Sequence, residues 1–281
     1  MKIVFLCRIL YIGGAISDMN LETICIKTID AVRTAGAYIL ENYKYKDKHQ
    51  VEEKGTHNLV TEIDKAAERI LVNELSAILP EAGFITEEGT EERKGNKYNW
   101  IIDPIDGTTN YIHGAFPFAV SVALAEKDAP VIGVILELGR NECFYSWKEG
   151  GAYMDGTQIQ VSTAKTMHES LIATGFPYTN YSKIDAFMKS IEWLIRNTRG
   201  MRRLGSAASD IAWVACGRYD GFYEYGLSSW DIAAGVLILQ EAGGKSFNFS
   251  GEEADLFGGE IICTNGSNHE EFIAFIKSFL G

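Results

Sequence analysis

Two aspartates, Asp103 and Asp106, stand in the segment Trp100-Ile101-Ile102-Asp103-Pro104-Ile105-Asp106-Gly107-Thr108-Thr109-Asn110. The apolar run before Asp103 reads as a strand, and Pro104 is expected to stop its hydrogen-bonded ladder. Two carboxylates held at a strand end repel each other unless something positive lies between them. A hard divalent cation such as Mg²⁺ suits that gap, because it takes oxygen ligands and keeps part of its water shell. The turn also offers backbone carbonyls, that of Ile105 among them. Gly107, Thr108 and Thr109 then open a short helix, and free N–H groups at a helix start suit a phosphate. One short segment can therefore hold a metal and a phosphate together.

Three further acidic segments can complete such a site. Phe84-Ile85-Thr86-Glu87-Glu88-Gly89 reads as a strand ending in carboxylates. Asn58-Leu59-Val60-Thr61-Glu62-Ile63-Asp64 is an extended run that ends near a helix start. Ser228-Ser229-Trp230-Asp231 places Asp231 in the first turn of another helix. Taken singly, each has a plain structural explanation. Asp64 and Asp231 are the kind of acid that stabilises a helix start, and Glu87-Glu88 alone is a solvated turn.

The elements that must carry these residues follow from apolar spacing. Leu21, Ile24, Cys25, Ile29, Val32, Gly36, Ile39 and Leu40 predict a helix with Asn20 as its N-cap. A second helix runs from about Asp64 to Leu79, ended by Pro80 and Gly83. Strand-like runs at Gly83–Thr86, Asn99–Ile102, Ala119–Ala125, Val131–Leu138 and Glu142–Trp147, with turns at Gly150-Gly151 and Asp155-Gly156, predict an antiparallel sheet. The second half alternates: strands at Leu171–Thr174, Asp220–Tyr225 and Ile261–Thr264, and helices at Ile184–Arg196, Ser206–Cys216, Trp230–Glu241 and His269–Phe279. This is an α+β pattern of stacked layers. The expected organisation is an N-terminal extension over residues 1–18, an α+β subdomain with the metal site over 19–150, and an α/β subdomain over 151–281 that completes the site, fused into one catalytic unit.

Composition excludes several classes. The 281 residues are 46% hydrophobic and 23% charged, with a net charge of −12. Such a chain attracts neither nucleic acid nor an anionic membrane. The five cysteines are odd in number, widely spaced and without a CxxC pair. That argues against a disulfide framework or a zinc knuckle and for reduced thiols in the cytoplasm. The opening run MKIVFLCRILYIGGAISD is apolar, but Arg8 interrupts it and Met19 directly precedes the first helix pattern. It reads as an extension or upstream start rather than an export signal. Nothing else approaches the length of a membrane span. His113 is expected to be exposed or structural. Arg202-Arg203 read equally as a solvated turn or as a contact to substrate or partner, and Trp213, Tyr219, Phe222, Tyr223 and Tyr225 read as core and interface packing.

The segment WIIDPIDGTTNYIHG resembles the signature of the inositol monophosphatase family. So does Tyr223-Glu224-Tyr225-Gly226-Leu227-Ser228-Ser229-Trp230-Asp231-Ile232-Ala233-Ala234-Gly235, closed by Glu241-Ala242-Gly243-Gly244. Asn58–Asp64, Glu87-Glu88 and Gly205-Ser206-Ala207-Ala208 fall in the same family order, so the likeness runs from about Asn20 to the C-terminus. The resemblance implies the layered αβαβα sandwich of the inositol monophosphatase and fructose-1,6-bisphosphatase superfamily, with two or three Mg²⁺ ions. Glu87, Asp103 and the Ile105 carbonyl would hold the first ion, and Asp103, Asp106 and Asp231 the second. A third would sit near Glu87, and the Lys54-Gly55 loop reads equally as a cover for that ion or as a flexible surface hairpin. Thr108, supported by Asp64, would orient the metal-activated water for in-line attack on phosphorus, with Glu87 counted in the same catalytic group. Gly107 and Thr108 would donate N–H groups to the phosphate. Glu224 and the Gly205-Ser206-Ala207 segment would meet substrate hydroxyls, with Asp231 also at the substrate. Li⁺ inhibition and a homodimer are further implications.

The reaction so implied is hydrolysis of inositol 1-phosphate, a small phosphorylated polyol. Fructose 1,6-bisphosphate, NADP and 3′-phosphonucleotides are alternatives. Nucleotide-directed relatives carry a Lys-Glu pair where this chain has Thr109-Asn110, and a carboxylate at Glu224 suits hydroxyls better than a second phosphate. Some bacterial members resemble regulators that bind RNA polymerase or ribosome-assembly factors, which leaves a protein-binding role as the reading of a different class. The cluster's negative charge would repel a phosphate dianion unless bound cations reversed it.

Overall fold

Asn20 Oδ1 accepts the Thr23 N–H at 2.9 Å and so caps the first helix, as its side chain suggests. The computed structural model describes residues 20–43, 51–55, 58–91, 93–178 and 180–281. The expected extension over 1–18 lies outside them. Helix α1 (Leu21–Tyr43) is followed by an antiparallel ribbon, β1 (Val51–Gly55) with β2 (Asn58–Thr61), and then by α2 (Glu62–Ile78). The ribbon is where the Lys54-Gly55 loop was expected. Residues 56–57, and the side chains that would meet a third ion, lie outside the described residues.

A seven-stranded sheet comes next: β3 (Gly83–Thr86), β4 (Tyr98–Asp106), β5 (Ala119–Glu126), β6 (Ala129–Glu137), β7 (Glu142–Trp147), β8 (Ala152–Met154) and β9 (Thr157–Gln158), in that spatial order. The short helix α3 (Thr108–His113) joins β4 to β5. The sheet is not wholly antiparallel, as its hairpins suggested. β3 runs parallel to β4, with Thr86 beside Ile102. The connection across residues 87–97 returns to the starting end before β4 begins, so both strands finish at the same edge. One step further, that register sets Glu87 beside Asp103.

Pro104, expected to stop the ladder, does not end the strand. β4 continues to Asp106 through a bulge: Asp103 pairs with Ser121 and Asp106 with Ala119, so three steps on β4 answer two on β5. Proline is tolerated there because the bulged stretch makes no regular ladder bond. Strict alternation would send two residues three apart to opposite faces. The extra residue puts Asp103 and Asp106 on the same face.

A five-stranded sheet follows, in the order β11-β10-β12-β14-β13. It is built from β10 (Leu171–Thr174), β11 (Gly200–Arg202), β12 (Gly221–Tyr225), β13 (Lys245–Phe247) and β14 (Glu260–Thr264), with helices α4 (Ile184–Asn197), α5 (Ala207–Ala215), α6 (Ser229–Glu241) and α7 (His269–Leu280).

Three apolar clusters bind the layers. Cys25, Val32 and Ile39 of α1 and Leu71 and Leu75 of α2 pack on Trp100, Ile102 and Val122. On the other face of the sheet, Ile101, Ala123 and Ile135 meet Ala208, Ile211, Ala234 and Ile238 of α5 and α6. Those two helices are apolar nearly all round, which is the mark of a helix covered on every side. Gly133 allows the close approach, since a Cβ there would sit 2.6 Å from the Ala234 carbonyl oxygen. Phe187, Leu194, Phe272 and Ile276 of α4 and α7 close the outer face of the second sheet over Tyr223 and Ile262. The result is an αβαβα sandwich. Among the described residues no helix is long and apolar enough to cross a membrane, and Cys25, Cys143, Cys216 and Cys263 are all unpaired thiols.

Candidate active site

Asp103, Asp106 and Asp231 each offer an oxygen, and these oxygens all lie within 4.8 Å of one another. Asp103 is 2% exposed and Asp106 8%. Glu87 reaches Asp103 from the parallel strand, and Glu87 and Asp231 both come within hydrogen-bonding reach of it. Asp103 is therefore the centre of the cluster.

Helix starts fix the other aspartates. Asp231 Oδ2 accepts the Ser228 N–H at 2.6 Å and caps α6. Asp106 Oδ2 accepts Ser206 Oγ–H at 2.5 Å and the Ala208 N–H at 2.8 Å, at the start of α5. Asp64 Oδ2 accepts the Thr61 N–H at 2.9 Å and the Thr61 hydroxyl, closing a capping box on α2. Its other oxygen accepts from Thr108 Oγ1 at 3.0 Å. Helix-start acid and site residue are thus compatible readings of Asp64 and Asp231, because a carboxylate has an oxygen for each role. Glu87 Oε2 and Asp103 Oδ1 are different: both are buried with no hydrogen-bond partner.

The electrostatics follow from burial and crowding. Burial, then the charges of Glu87, Asp106 and Asp231, hold Asp103 well above the usual carboxylate range. Burial, then Asp231, pushes Glu87 up to about 8. Burial, then Asp106, pushes Asp231 up to about 7. Asp106 rises only to about 6, because Ser206 and the N–H groups of α5 offset its burial. Among the described residues no lysine or arginine lines the cavity beside these acids.

That cavity is about 290 Å³. The acids and Thr108 line it together with Gly175, Tyr178, Gly205, Ala207, Glu224 and Gly226. A larger hollow of about 620 Å³ lies elsewhere, around Ser162, Arg199 and Asp220. There Asp220 is already satisfied by Ser162 and Leu171, and among the described residues no cluster of three carboxylates gathers.

The other expected residues divide. Ile105 is buried, with its carbonyl 3.0 Å from Thr108 Oγ1. Gly107 has φ +96°, a conformation that favours glycine, and a Cβ there would stand a tight 3.0 Å from the Gly205 carbonyl oxygen. Glu224 is 6% exposed and lines the cavity. Ser206 does not line it: 1% exposed, its hydroxyl lies against Asp106 and Ser209. Its place is behind a carboxylate, while its neighbours Gly205 and Ala207 line the cavity. Asn110, used above to choose between substrates, is a strap: its Nδ2 donates to the Pro117 and Leu204 carbonyls, each at 2.7 Å. His113 is exposed at the end of α3. Arg202 ends β11, and Arg203 lies over the Phe176 ring at 4.9 Å while donating to Tyr178 Oη at 3.0 Å.

Sequence reasoning missed Glu68, a fully buried acid on α2. Its two oxygens accept the Glu88 N–H, the Thr90 N–H and the Thr90 hydroxyl at 2.7 to 2.8 Å, which fixes the turn that aims Glu87. The signal was available, since position 68 shares the apolar face of Leu71 and Leu75. Replacing Glu68 by alanine strands three half-buried donors. The expected outcome is a loss of about 2–4 kcal/mol of stability in a denaturant melt, together with weaker Mg²⁺ binding by calorimetry. Asp210 was also missed: it is buried in α5 with Oδ1 unpartnered, and burial, then Asp106, holds it well above the usual range.

A model of the inositol monophosphatase family matches residues 20–279. The chain is 38% identical over 255 residues to the Nus factor SuhB of Pseudomonas aeruginosa, a match covering 89% of this chain and 94% of that protein. It is 37% identical over 239 residues to an inositol-1-monophosphatase of Rhizobium meliloti, covering 84% of this chain and 90% of the relative. Among solved structures, the extragenic suppressor protein SuhB of Bartonella henselae superposes with a TM-score of 0.86 at 34% identity, over 91% of this chain and 98% of that one.

Proposed function

The chain belongs to the inositol monophosphatase family, and we propose that it hydrolyses the phosphomonoester of a small polyol, inositol 1-phosphate foremost, with Mg²⁺ as cofactor. One observation carries this reading. Asp103, Asp106 and Asp231 converge with Glu87 against Asp103, no basic side chain among the described residues lines the cavity beside them, and the buried atoms Glu87 Oε2 and Asp103 Oδ1 lack any partner. An all-oxygen donor set with orphaned anionic atoms fits a hard divalent cation. Two or three bound Mg²⁺ ions would cancel that charge, attract the phosphate and acidify water.

In this reading Glu87, Asp103, Asp106, Asp231 and the Ile105 carbonyl hold the ions. Asp64 takes the Thr108 hydroxyl proton in a hydrogen bond, which leaves a Thr108 Oγ1 lone pair to orient the attacking water. The N–H groups of Gly107 and Thr108 hold the phosphate, and Glu224 accepts hydrogen bonds from the polyol hydroxyls. Positioning and charge complementarity, rather than covalent chemistry, supply the rate.

The test is phosphate release from myo-inositol 1-phosphate, fructose 1,6-bisphosphate, NADP and a 3′,5′-bisphosphonucleotide, each with Mg²⁺ and with excess EDTA. Inositol phosphate should be the best substrate, with no release in EDTA. Preference for another ester would move the substrate, and activity surviving the chelator would remove the metal from the mechanism. Li⁺ sensitivity and a homodimeric state belong to the same proposal, read by Li⁺ titration and light scattering. The match to a protein named as a Nus factor supports a second reading, in which the chain acts by binding a protein partner. An Asp103→Asn variant that still supports the cell would favour it.

A further inference from the structure

The strand β12 delivers Glu224 to the cavity, and its parallel neighbour β10 decides how that side chain lies. Their register runs Ile172 with Gly221, Ala173 with Phe222 and Thr174 with Tyr223. Continued by one step, it sets Gly175 beside Glu224. Paired residues in a parallel register project to the same face, so a side chain at 175 would stand next to that of Glu224. A Cβ built on Gly175 falls 2.0 Å from Cδ, Oε1 and Oε2 of Glu224 alike. The carboxylate therefore lies flat over the glycine backbone, in the space a methyl group would take. Gly175 is not among the glycines with positive φ. Its backbone conformation is open to alanine, and the three atoms nearest an added Cβ all belong to Glu224. Displacement is opposed by Asp210, Asp231 and Asp106, each of which weighs on Glu224 with like charge more than Arg203 offsets.

We propose that Gly175 is a positioning residue that lays the Glu224 carboxylate across the cavity floor and so sets how tightly the hydroxyls of a polyol phosphate are held. The proposal rests on the phosphatase reading, but its contact can be tested separately.

Two esters distinguish the role: myo-inositol 1-phosphate, which has hydroxyls to hold, and p-nitrophenyl phosphate, which has none. Gly175→Ala should raise KM for the inositol ester about tenfold. Its kcat should stay within about twofold, and KM for the aryl ester should not move. Glu224→Asp should raise KM in the native background yet lower it in the Gly175→Ala background, because the shorter side chain clears the methyl. An equal rise for both esters, or additive effects in the double variant, would overturn the proposal.

Melting supplies a readout independent of activity. Gly175→Ala should lower Tm in the native background and leave it unchanged in a Glu224→Ala background. If Gly175→Ala does not fold, the Gly175→Ala/Glu224→Ala double variant must; its failure would equally overturn the idea. Should the native protein release phosphate from neither ester, the phosphatase reading falls, and the melting cycle still decides the contact.

Discussion

Asp103→Asn lowers Mg²⁺-dependent phosphate release by about a thousandfold or more, and at the same time raises the melting temperature measured in EDTA. Both effects come from its central position. Asp103 reaches Glu87 and Asp231 and is opposed by the charges of Glu87, Asp106 and Asp231. Asparagine keeps the shape and one acceptor oxygen but removes a negative charge from that crowd, so the metal-free fold gains. The loss in rate follows from weaker cation binding, since such ions supply several kcal/mol of transition-state stabilisation and each 1.36 kcal/mol is tenfold. Single-turnover assays and melts with and without Mg²⁺ measure the two together. Activity within tenfold of native, or an unchanged Mg²⁺-induced shift in Tm, would show that Asp103 is not the shared ligand.

Removing the metal should make stability fall as pH rises across neutrality. Glu87, Asp231 and Asp106 are held up at about 8, 7 and 6 in the metal-free fold, against about 4 for unfolded carboxyls. Between those limits the folded state binds more protons than the unfolded one, so folding free energy declines with increasing pH. The contribution of these groups is complete below about pH 4 and gone above about pH 8. In EDTA, Tm should drop by about 5 °C or more between pH 6 and 8. Saturating Mg²⁺ should abolish the slope, because the cation replaces the protons. A flat profile in EDTA would mean that the acids are not crowded as the geometry places them.

Much of the site was legible because its residues sit where sequence patterns change. The apolar run into Asp103, the helix start after Thr61 and the helix start at Ser228 are local signals, and each places its acid correctly. That these segments meet was carried by the family resemblance, since nothing local says that residues far apart in the chain converge. The geometry between them was not legible. The bulge at Pro104 decides that Asp103 and Asp106 share a face, and it depends on the pairing partner β5 rather than on the proline. The parallel pairing of β3 with β4 depends on how the intervening loop returns. Ser206, expected at the substrate, and Asn110, used to choose between substrates, are both spent by the fold on its own carboxylate and carbonyls. Gly175 gave no signal at all, because its role exists only as room left for a neighbour.

The caps have an evolutionary consequence. Asp64, Asp106 and Asp231 each close a helix as well as facing the cavity. A descendant that abandoned hydrolysis for partner binding would still need all three to keep α2, α5 and α6 in place. Their retention in a relative is therefore no sign of surviving chemistry. Glu87 and Asp103 cap nothing, and selection for architecture alone would let them drift first.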